Sequence, residues 1–213
     1  MSETREIVLP RELLKSLQEI YSRLETEYGR VAGELNFSCS NCPDNCCDSY
    51  FLHHTYAEWA YLWMGLQKLD PDDFAEIEAR AAEYIRRCAE AEARGERPQV
   101  MCPLNRDGLC VLYEHRMLVC RTHGVPAMIK RPDGRILRFP GCFHCQDIVE
   151  KKTGKDRAPS VDRTPMLHLL ARLENDLLEQ RRHLLPKVKM TIAQMIIKGP
   201  PTLPVLFCHR PES

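Results

Sequence analysis

The sequence lacks the long apolar runs and the leader segment that mark membrane and secreted proteins. No stretch approaches the roughly 18 consecutive apolar residues of a membrane-spanning helix. Residues 1–6 contain no basic region followed by an apolar one, so we expect no secretory signal. These absences predict a cytoplasmic chain whose partners do not include a membrane.

The signals of common enzyme classes are also missing. The sequence has no glycine-rich nucleotide loop, no paired carboxylates at a recognisable catalytic spacing and no C-x3-C-x2-C motif of radical enzymes. Charge of one sign is not in excess, because 30 Lys and Arg balance 30 Asp and Glu for a formal net charge of +0. This balance removes the global basic signature that is typical of nucleic-acid-binding chains.

Cysteine, by contrast, is abundant. The 213 residues include 11 cysteines, an odd number that fits complete disulfide pairing poorly. In a reducing cytoplasm, thiols stay free for metal binding rather than forming a disulfide framework. With 44% hydrophobic and 28% charged residues, the composition is otherwise that of an ordinary globular protein. We therefore expect one folded domain whose cysteines bind metal ions.

Hydrophobic periodicity predicts a mainly α fold, with helices packed around a cysteine-rich metal-binding segment that carries one small β-hairpin. Apolar spacing and capping patterns predict helices over residues 11–35, 55–69, 70–95 and 164–185, four or five in all. Thr55 opens a capping box, and Asp70 followed by Pro71 is typical of a helix start. The hairpin is predicted from residues 127–130 and 136–139, which flank a turn sequence.

Domain organisation is expected to follow the distribution of the cysteines. An N-terminal helix occupies residues 1–35, and a cysteine-cluster metal-binding domain occupies residues 36–146. Within that domain, residues 55–95 are predicted to form an inserted helical hairpin. Residues 147–213 are predicted to form a C-terminal helix and a proline-rich tail that wraps or dangles.

Nine cysteines lie in two tight groups and are candidate ligands for a soft metal. The candidates are Cys39, Cys42, Cys46 and Cys47 in the first group, and Cys102, Cys110, Cys120, Cys142 and Cys145 in the second. Thiolates at such short spacings can converge on zinc or an iron–sulfur cluster at little loop-closure cost. Neighbouring side chains of an extended chain point to opposite sides, so adjacent Cys46 and Cys47 favour two sites or a polynuclear cluster. The number of thiols also exceeds the ligands of one tetrahedral zinc ion, which indicates more than one metal ion.

Several of these cysteines stand in a longer pattern with their neighbours. The pattern consists of Cys39-x2-Cys42-x3-Cys46-Cys47, Cys102-Pro103-Leu104, Asp107-Gly108-Leu-Cys110-Val-Leu-Tyr113-Glu-His-Arg116 and Cys120-Arg121. It resembles the YkgJ-type cysteine-cluster family over residues 36–146. The resemblance implies a zinc- or iron-chelating domain of proteins commonly named as Fe–S-cluster-containing, with these seven cysteines as ligands. Cys142 and Cys145 follow where further family cysteines tend to fall. The chain departs from the pattern at Met117, where the family usually has proline, and in the three residues between Cys42 and Cys46.

Other residues are expected to have supporting roles. Cys88 lies on the apolar face of a predicted helix and is expected in the core, and Cys208 is expected to be packed or free. His123 and His144 could each bind metal through one ring nitrogen, but they are interpreted as hydrogen-bond donors behind the ligands or as surface residues. Basic residues in the cysteine half are predicted to compensate thiolate charge rather than to bind nucleic acid, which needs aromatic stacking partners. They are Arg106, Arg116, Arg121, Lys130, Arg131, Arg135 and Arg138.

Metal binding by itself leaves the biological role open. The chain is predicted to be a metal-binding protein without an assigned reaction. One alternative is a cluster-dependent enzyme that modifies a protein side chain, because flagellin lysine-N-methylases carry a similar cysteine pattern. Another is a metal-stabilised module that binds a protein or nucleic acid. A thiol oxidoreductase using Cys39 and Cys42, or Cys142 and Cys145, is disfavoured, because such a pair should follow a strand and open a helix.

Overall fold

The protein is mainly helical, as the sequence predicts, with small β-sheets. The computed structural model describes residues 4–39, 46–152 and 158–204. Within these ranges it contains seven α-helices: α1 (Arg11–Leu35), α2 (Tyr56–Leu66), α3 (Pro71–Ala93), α4 (Leu118–Thr122), α5 (Phe143–Lys152), α6 (Thr164–Leu177) and α7 (Ile192–Lys198). The strands are β1 (Thr4–Glu6), β2 (Asn105–Arg106), β3 (Leu109–Cys110), β4 (Ala127–Lys130), β5 (Ile136–Phe139), β6 (Val161–Asp162) and β7 (Thr202–Pro204). None of the described helices combines the length and the apolar character needed to cross a membrane.

Helix α1 begins and ends where the sequence predicts. Its last turn is closed by Asn36, whose backbone is left-handed (φ 52°) and whose N–H donates to the Gly33 carbonyl at 3.0 Å. Asparagine tolerates this conformation because its short polar side chain can form local hydrogen bonds. The chain therefore turns sharply at the end of α1, and Phe37 is buried directly afterwards.

The two helices between the cysteine groups form as predicted, but they do not pair along their length. The Thr55 side chain caps α2 by accepting the Glu58 N–H at 3.2 Å, and the Asp70 side chain caps α3. The rings of Trp63 and Phe74 meet at 5.9 Å near the connection between α2 and α3. Helix α3 packs most extensively against α7. The predicted hairpin is therefore a pair of consecutive helices, the second of which belongs with the C-terminal part of the chain.

The C-terminal part differs from the prediction in its helices. Helix α6 ends at Leu177 rather than near residue 185, because Glu179 and Gln180 adopt left-handed φ values of 50° and 62°. The leucine spacing continues past this break, so periodicity alone overestimates the length of the helix. The sequence prediction also misses the short helix α4 and helices α5 and α7. Thr191 and Gln194 form a capping box at the start of α7, a signal that the sequence does contain.

Strand pairing confirms the predicted hairpin and adds partners to it. Strands β4 and β5 pair antiparallel with Ala127 opposite Phe139, and Gly134 (φ 82°) lies in their turn. Strand β6 joins β4 in parallel, which gives the order β5-β4-β6. Strands β2 and β3 form a second hairpin. Strands β1 and β7 pair with each other, so the start of the proline-rich tail is held against the N-terminal strand.

Buried apolar side chains fall into two clusters. The main core lies among α1, α2, α3, α6 and α7, and its buried members include Leu17, Leu62, Ile77, Leu170 and Met195. The second core is smaller and contains Val31, Leu35, Phe37, Val125, Ala127, Cys142, Cys145, Val149 and Val161. It joins the last turns of α1 to α5 and to the three-stranded sheet. Because α1 contributes to both clusters, the N-terminal helix is continuous with the interior of the rest of the protein.

Glu58 is a buried carboxylate that joins three helices. Its oxygens accept hydrogen bonds from the Leu118 N–H at the start of α4 (2.8 Å), the Thr55 hydroxyl (3.0 Å) and the Tyr21 hydroxyl (3.4 Å). Burial raises the pKa of Glu58, and these donors oppose that rise by favouring the ionised form. Glu58, whose N–H is capped by Thr55 at the start of α2, therefore also holds α4, which carries Cys120.

We expect Glu58→Ala to lower the free energy of unfolding by about 3 kcal/mol, because it leaves the buried Leu118 N–H without its acceptor. Urea unfolding followed by circular dichroism measures the change. Glu78→Ala is the matched control, since Glu78 is exposed on α3, and it should change the value by less than about 0.5 kcal/mol. Equal effects of the two substitutions would contradict the structural role of Glu58.

Candidate metal centre

One cavity of about 930 Å³ brings together cysteines that are far apart in the sequence. The predicted ligands on its walls are Cys39, Cys47, Cys102, Cys110, Cys120 and Cys142. Aromatic, basic and imidazole side chains also line it, among them Tyr28, Phe51, Arg116 and His123. The cysteine-rich segments therefore meet at a common concave surface.

Four of these cysteines form what we call the first thiol group: Cys47, Cys102, Cys110 and Cys120. The Cys102 thiol interacts electrostatically with the other three, and the Cys120 thiol interacts with Cys110 and Cys47. Each comes from a different segment, namely a 3-10 turn before α2, the loop after α3, strand β3 and helix α4. The tertiary fold, and not sequence proximity, brings the four thiols together.

Backbone hydrogen bonds position the first thiol group. The Cys102 N–H donates to the Cys47 carbonyl at 3.0 Å, and the Asn105 N–H donates to the Cys102 carbonyl at 3.0 Å. Asn105 in turn pairs with Cys110 across the β2–β3 hairpin. The turn Asp107-Gly108 has φ values of 52° and 88°, the pattern of a tight two-residue hairpin. This turn therefore places Cys110 close to Cys102.

Two sulfurs of this group accept hydrogen bonds, each from the backbone N–H that lies two residues further along the chain. The Leu104 N–H donates to the Cys102 thiol, and the Leu112 N–H donates to the Cys110 thiol. Burial raises the pKa of both thiols, and each N–H opposes that rise because it favours the thiolate. Donors aimed at sulfur suit a thiolate that carries negative charge, as a metal-bound one does.

Two arginines place positive charge beside the same group. Burial raises the pKa of the Cys110 thiol, and the guanidinium groups of Arg116 and Arg121 act to lower it. Arg121 is only 8% exposed and forms an ion pair with Glu25 on α1. Arg106 pairs instead with carboxylates of α3. Among the basic residues predicted to compensate thiolate charge, Arg116 and Arg121 therefore have the suitable position.

Three further cysteines form the second thiol group: Cys39, Cys142 and Cys145. Burial raises the pKa of the Cys145 thiol to about 12, and the neighbouring Cys142 and Cys39 thiols raise it as well. Cys142 and Cys145 are buried, whereas Cys39 is exposed. The Tyr28 hydroxyl lies 3.6 Å from the Cys39 sulfur. In space, Cys39 therefore lies with Cys142 and Cys145, although along the sequence it belongs to the first group of cysteines.

The local structure around Cys142 and Cys145 contradicts one argument made from the sequence. The pair does follow a strand and open a helix, because β5 ends shortly before Cys142 and α5 begins directly after it. The Gln146 N–H donates to the Cys142 carbonyl at 2.9 Å, as at a helix start. The reason given against a redox pair was therefore wrong. The third thiol, that of Cys39, favours a metal site over an isolated redox pair.

The remaining predicted cysteines are placed as follows. Cys88 is buried on α3 in the main core, as predicted. Cys42, Cys208 and the side chain of Cys46 lie outside the described part of the chain. Within the described part, no group of three or more His, Cys, Asp or Glu side chains is arranged to hold a metal ion. The chemistry of the donors still fits a soft metal, because four thiols with N–H donors and cations beside them face one cavity.

Histidines line or flank the thiols without joining either group. The Nε2 atom of His123 lies 3.3 Å from the Ser49 hydroxyl, and burial lowers the pKa of His123 to about 4. His144 packs against the Phe37 ring with centroids 5.7 Å apart. Sequence reasoning missed His53, a buried residue of the cavity wall whose Nδ1 has no hydrogen-bond partner among the described residues. No motif in the sequence identifies it.

Comparison with known proteins adds no assignment. No protein-family model, curated protein or solved structure matches the chain. The resemblance to the YkgJ-type family therefore remains an inference from the cysteine pattern, and the function must be argued from the thiols themselves.

In metal-free protein, we expect Cys39 to react with a maleimide at least about tenfold faster than Cys120. Cys39 is exposed, whereas burial raises the pKa of the Cys120 thiol to about 12 and leaves little thiolate at neutral pH. Peptide mapping by mass spectrometry after timed labelling measures both rates. Labelling of Cys120 at the rate of Cys39 would show that the first thiol group is not shielded as described.

Proposed function

We propose that the protein binds zinc or an iron–sulfur centre through the first thiol group. The convergence of Cys47, Cys102, Cys110 and Cys120 on one cavity carries this proposal. Four thiolates match the ligand number of a tetrahedral zinc ion and of common iron–sulfur clusters. Calcium and magnesium prefer oxygen ligands and do not suit such a donor set.

Local electrostatics support the proposal. Four thiolates around a divalent ion carry excess negative charge, which is costly to bury unless it is compensated. Arg116 and Arg121 lie beside Cys110, where their charge offsets that of the thiolates. The N–H groups of Leu104 and Leu112 also favour the thiolate forms of Cys102 and Cys110. Together these groups favour deprotonated, metal-bound cysteines.

The proposed centre would stabilise a part of the chain that also exposes several large apolar side chains. Those of residues 100–145 are Met101, Leu109, Tyr113, Ile136, Leu137, Phe139 and Phe143. Metal binding would therefore add folding free energy to that of apolar burial. A bound zinc ion supplies a rigid crosslink, and an iron–sulfur cluster adds electron transfer. The resemblance to a zinc- or iron-chelating family also supports metal binding by these cysteines.

A second candidate function is a cluster-dependent enzyme that modifies a side chain of another protein. The size of the cavity favours it, because about 930 Å³ falls in the range of small-molecule sites and exceeds what a single ion needs. His53 lies on the cavity wall, and its Nδ1 has no hydrogen-bond partner among the described residues. Iron in the purified protein would favour this candidate, and zinc alone would count against it.

Protein purified without exposure to air is expected to contain zinc or iron, and Cys110→Ser combined with Cys120→Ser should remove the metal of the first thiol group. Serine oxygen is a poor ligand for soft metals. Inductively coupled plasma mass spectrometry measures the metal per chain. Cys88→Ser is the matched control, because Cys88 lies in the main core, and it should keep the full metal content. Metal-free wild-type protein, or equal loss in the control, would refute the proposal.

Removal of the metal with a strong chelator should lower the melting temperature by about 10 °C, since a ligand bound only by the folded state stabilises that state. Calorimetry before and after removal measures the shift. The Cys110→Ser, Cys120→Ser variant should shift much less under the same treatment. Unchanged melting and unchanged near-UV circular dichroism after complete removal would show that no metal supports the fold.

A further inference from the structure

Strand β5 forms one edge of the three-stranded sheet. The strand order is β5-β4-β6, so only one side of β5 pairs with another strand among the described residues. All four residues of the strand, Ile136–Phe139, are exposed. Among the described elements, β4 is the one with which β5 shares extensive contacts. The side of β5 that faces away from β4 is therefore an open edge of the sheet.

Backbone hydrogen bonds show which groups of β5 are engaged by β4. At the turn end of the hairpin, the Arg131 N–H donates to the Arg135 carbonyl at 2.8 Å. In an antiparallel pair, the residues whose N–H and C=O groups point to the partner strand alternate along each strand. Counting from Arg135, Leu137 and Phe139 therefore use their backbone groups to pair with β4.

The backbone groups of Ile136 and Arg138 consequently point to the open edge. Strand β4 shows the complementary pattern, because the Met128 carbonyl accepts the Arg163 N–H on the β6 side at 2.9 Å. Met128 lies opposite Arg138 in the register, so neither residue of this pair uses its backbone groups within the hairpin. Two residues of β5 therefore offer N–H donors and C=O acceptors to a further strand.

Apolar side chains flank the open edge on both faces of the sheet. Because side chains alternate along a strand, Ile136 lies on one face, and Leu137 and Phe139 lie on the other. These three side chains are 46%, 44% and 36% exposed, respectively. Phe143, at the start of α5, is 71% exposed. A strand added beside β5 would remove part of this apolar surface from water, which favours its binding.

The hairpin also carries an excess of positive charge. Residues 127–139 contain four basic side chains, those of Lys130, Arg131, Arg135 and Arg138, and one acidic side chain, that of Asp133. Arg131 and Arg135 each lie 3.8 Å from the Asp133 carboxylate. Within the described part of the chain, Lys130 and Arg138 form no ion pair. A chain whose formal net charge is +0 therefore concentrates cations around this one edge.

We propose that the open edge of β5 binds an acidic, extended segment of a partner protein, which joins the sheet as a further strand. Hydrogen bonds to the backbones of Ile136 and Arg138 would supply affinity, as in other cases of strand addition. Carboxylates of the segment would meet the four cations of the hairpin, which selects for acidic partners. The surface lies outside the first thiol group, so this inference goes beyond metal binding and does not rest on it.

The same features disfavour two other occupants. A second copy of the chain, paired through its own β5, would bring two sets of the same cations together, and like charges on neighbouring strands destabilise pairing. Nucleic acid would satisfy the cations, but it would leave the outward backbone groups of Ile136 and Arg138 without strand partners. An acidic peptide in an extended conformation satisfies the charges, the backbone groups and the apolar side chains together.

Fluorescence anisotropy of the full chain with a fluorescein-labelled peptide of alternating glutamate and valine tests the charge of the surface. Arg135→Glu combined with Arg138→Glu should weaken binding by at least about tenfold, because attraction becomes repulsion. Lys15→Glu combined with Arg23→Glu is the matched control, since both residues are exposed on α1 and the change in net charge is the same. The control should weaken binding by less than about twofold, because exposed charges act mainly over short distances at physiological salt.

Ile136→Pro tests the open backbone edge. Proline removes the outward N–H of residue 136 and is tolerated at the first residue of a strand, so the pairing of β5 with β4 should persist. Ile136→Ala is its control, because alanine keeps that N–H while it shortens the side chain. We expect the proline variant to bind the peptide at least about fivefold more weakly than the alanine variant, the loss of roughly one hydrogen bond. Native far-UV circular dichroism is required of every variant.

Absence of binding by the acidic peptide would overturn the proposal, as would equal binding of a lysine–valine peptide. Equal effects of Ile136→Pro and Ile136→Ala would exclude strand addition. A short labelled oligothymidylate that binds more tightly than the peptide, and is lost in the hairpin charge variant, would assign the surface to nucleic acid instead. Dimerisation that Ile136→Pro abolishes would assign it to a second copy. Peptide binding by protein that holds no metal would support this surface while refuting the proposed function, so the two failures are distinguishable.

Discussion

The buried guanidinium of Arg121 is the interaction on which the cysteine-bearing half of the structure depends. Its Cζ lies 4.3 Å from the Tyr21 ring centroid, and it pairs with Glu25, so both partners come from α1. Its Nε also donates to the Arg116 carbonyl at 2.8 Å. A buried charge is tolerated only where partners surround it. Helix α4, and Cys120 with it, can therefore lie only where α1 supplies those partners.

A buried carboxyl group fixes the same short helix from the other end. The Glu58 carboxylate on α2 accepts the first N–H of α4, from Leu118, at 2.8 Å. Helix α4 is too short to be stable alone, so these two contacts replace the support that a longer helix draws from its own packing. These two polar contacts therefore fix the helix that carries Cys120, which is a member of the first thiol group. The position of Cys120 is set by the fold rather than left to a metal ion.

The two thiol groups differ in their surroundings. Arg116 and Arg121 place positive charge beside the first group, which lines a cavity with room for a further molecule. In the second group, Cys142 and Cys145 belong to the small core that includes the last turns of α1, whereas Cys39 is exposed.

The features that the sequence could predict by itself depend on residues that are close together along the chain. The apolar stripe of α1, the caps at Thr55 and Asp70, and the β4–β5 hairpin around Gly134 all depend on short-range spacing, and all form as expected. The choice of cysteines as candidate ligands was possible for the same reason. Which thiols lie near one another was decided only by the tertiary structure. Cys142 lies against Gly124 because the Gly124 and Gly141 backbones approach closely, and contacts between such distant segments leave no spacing in the sequence from which to predict them.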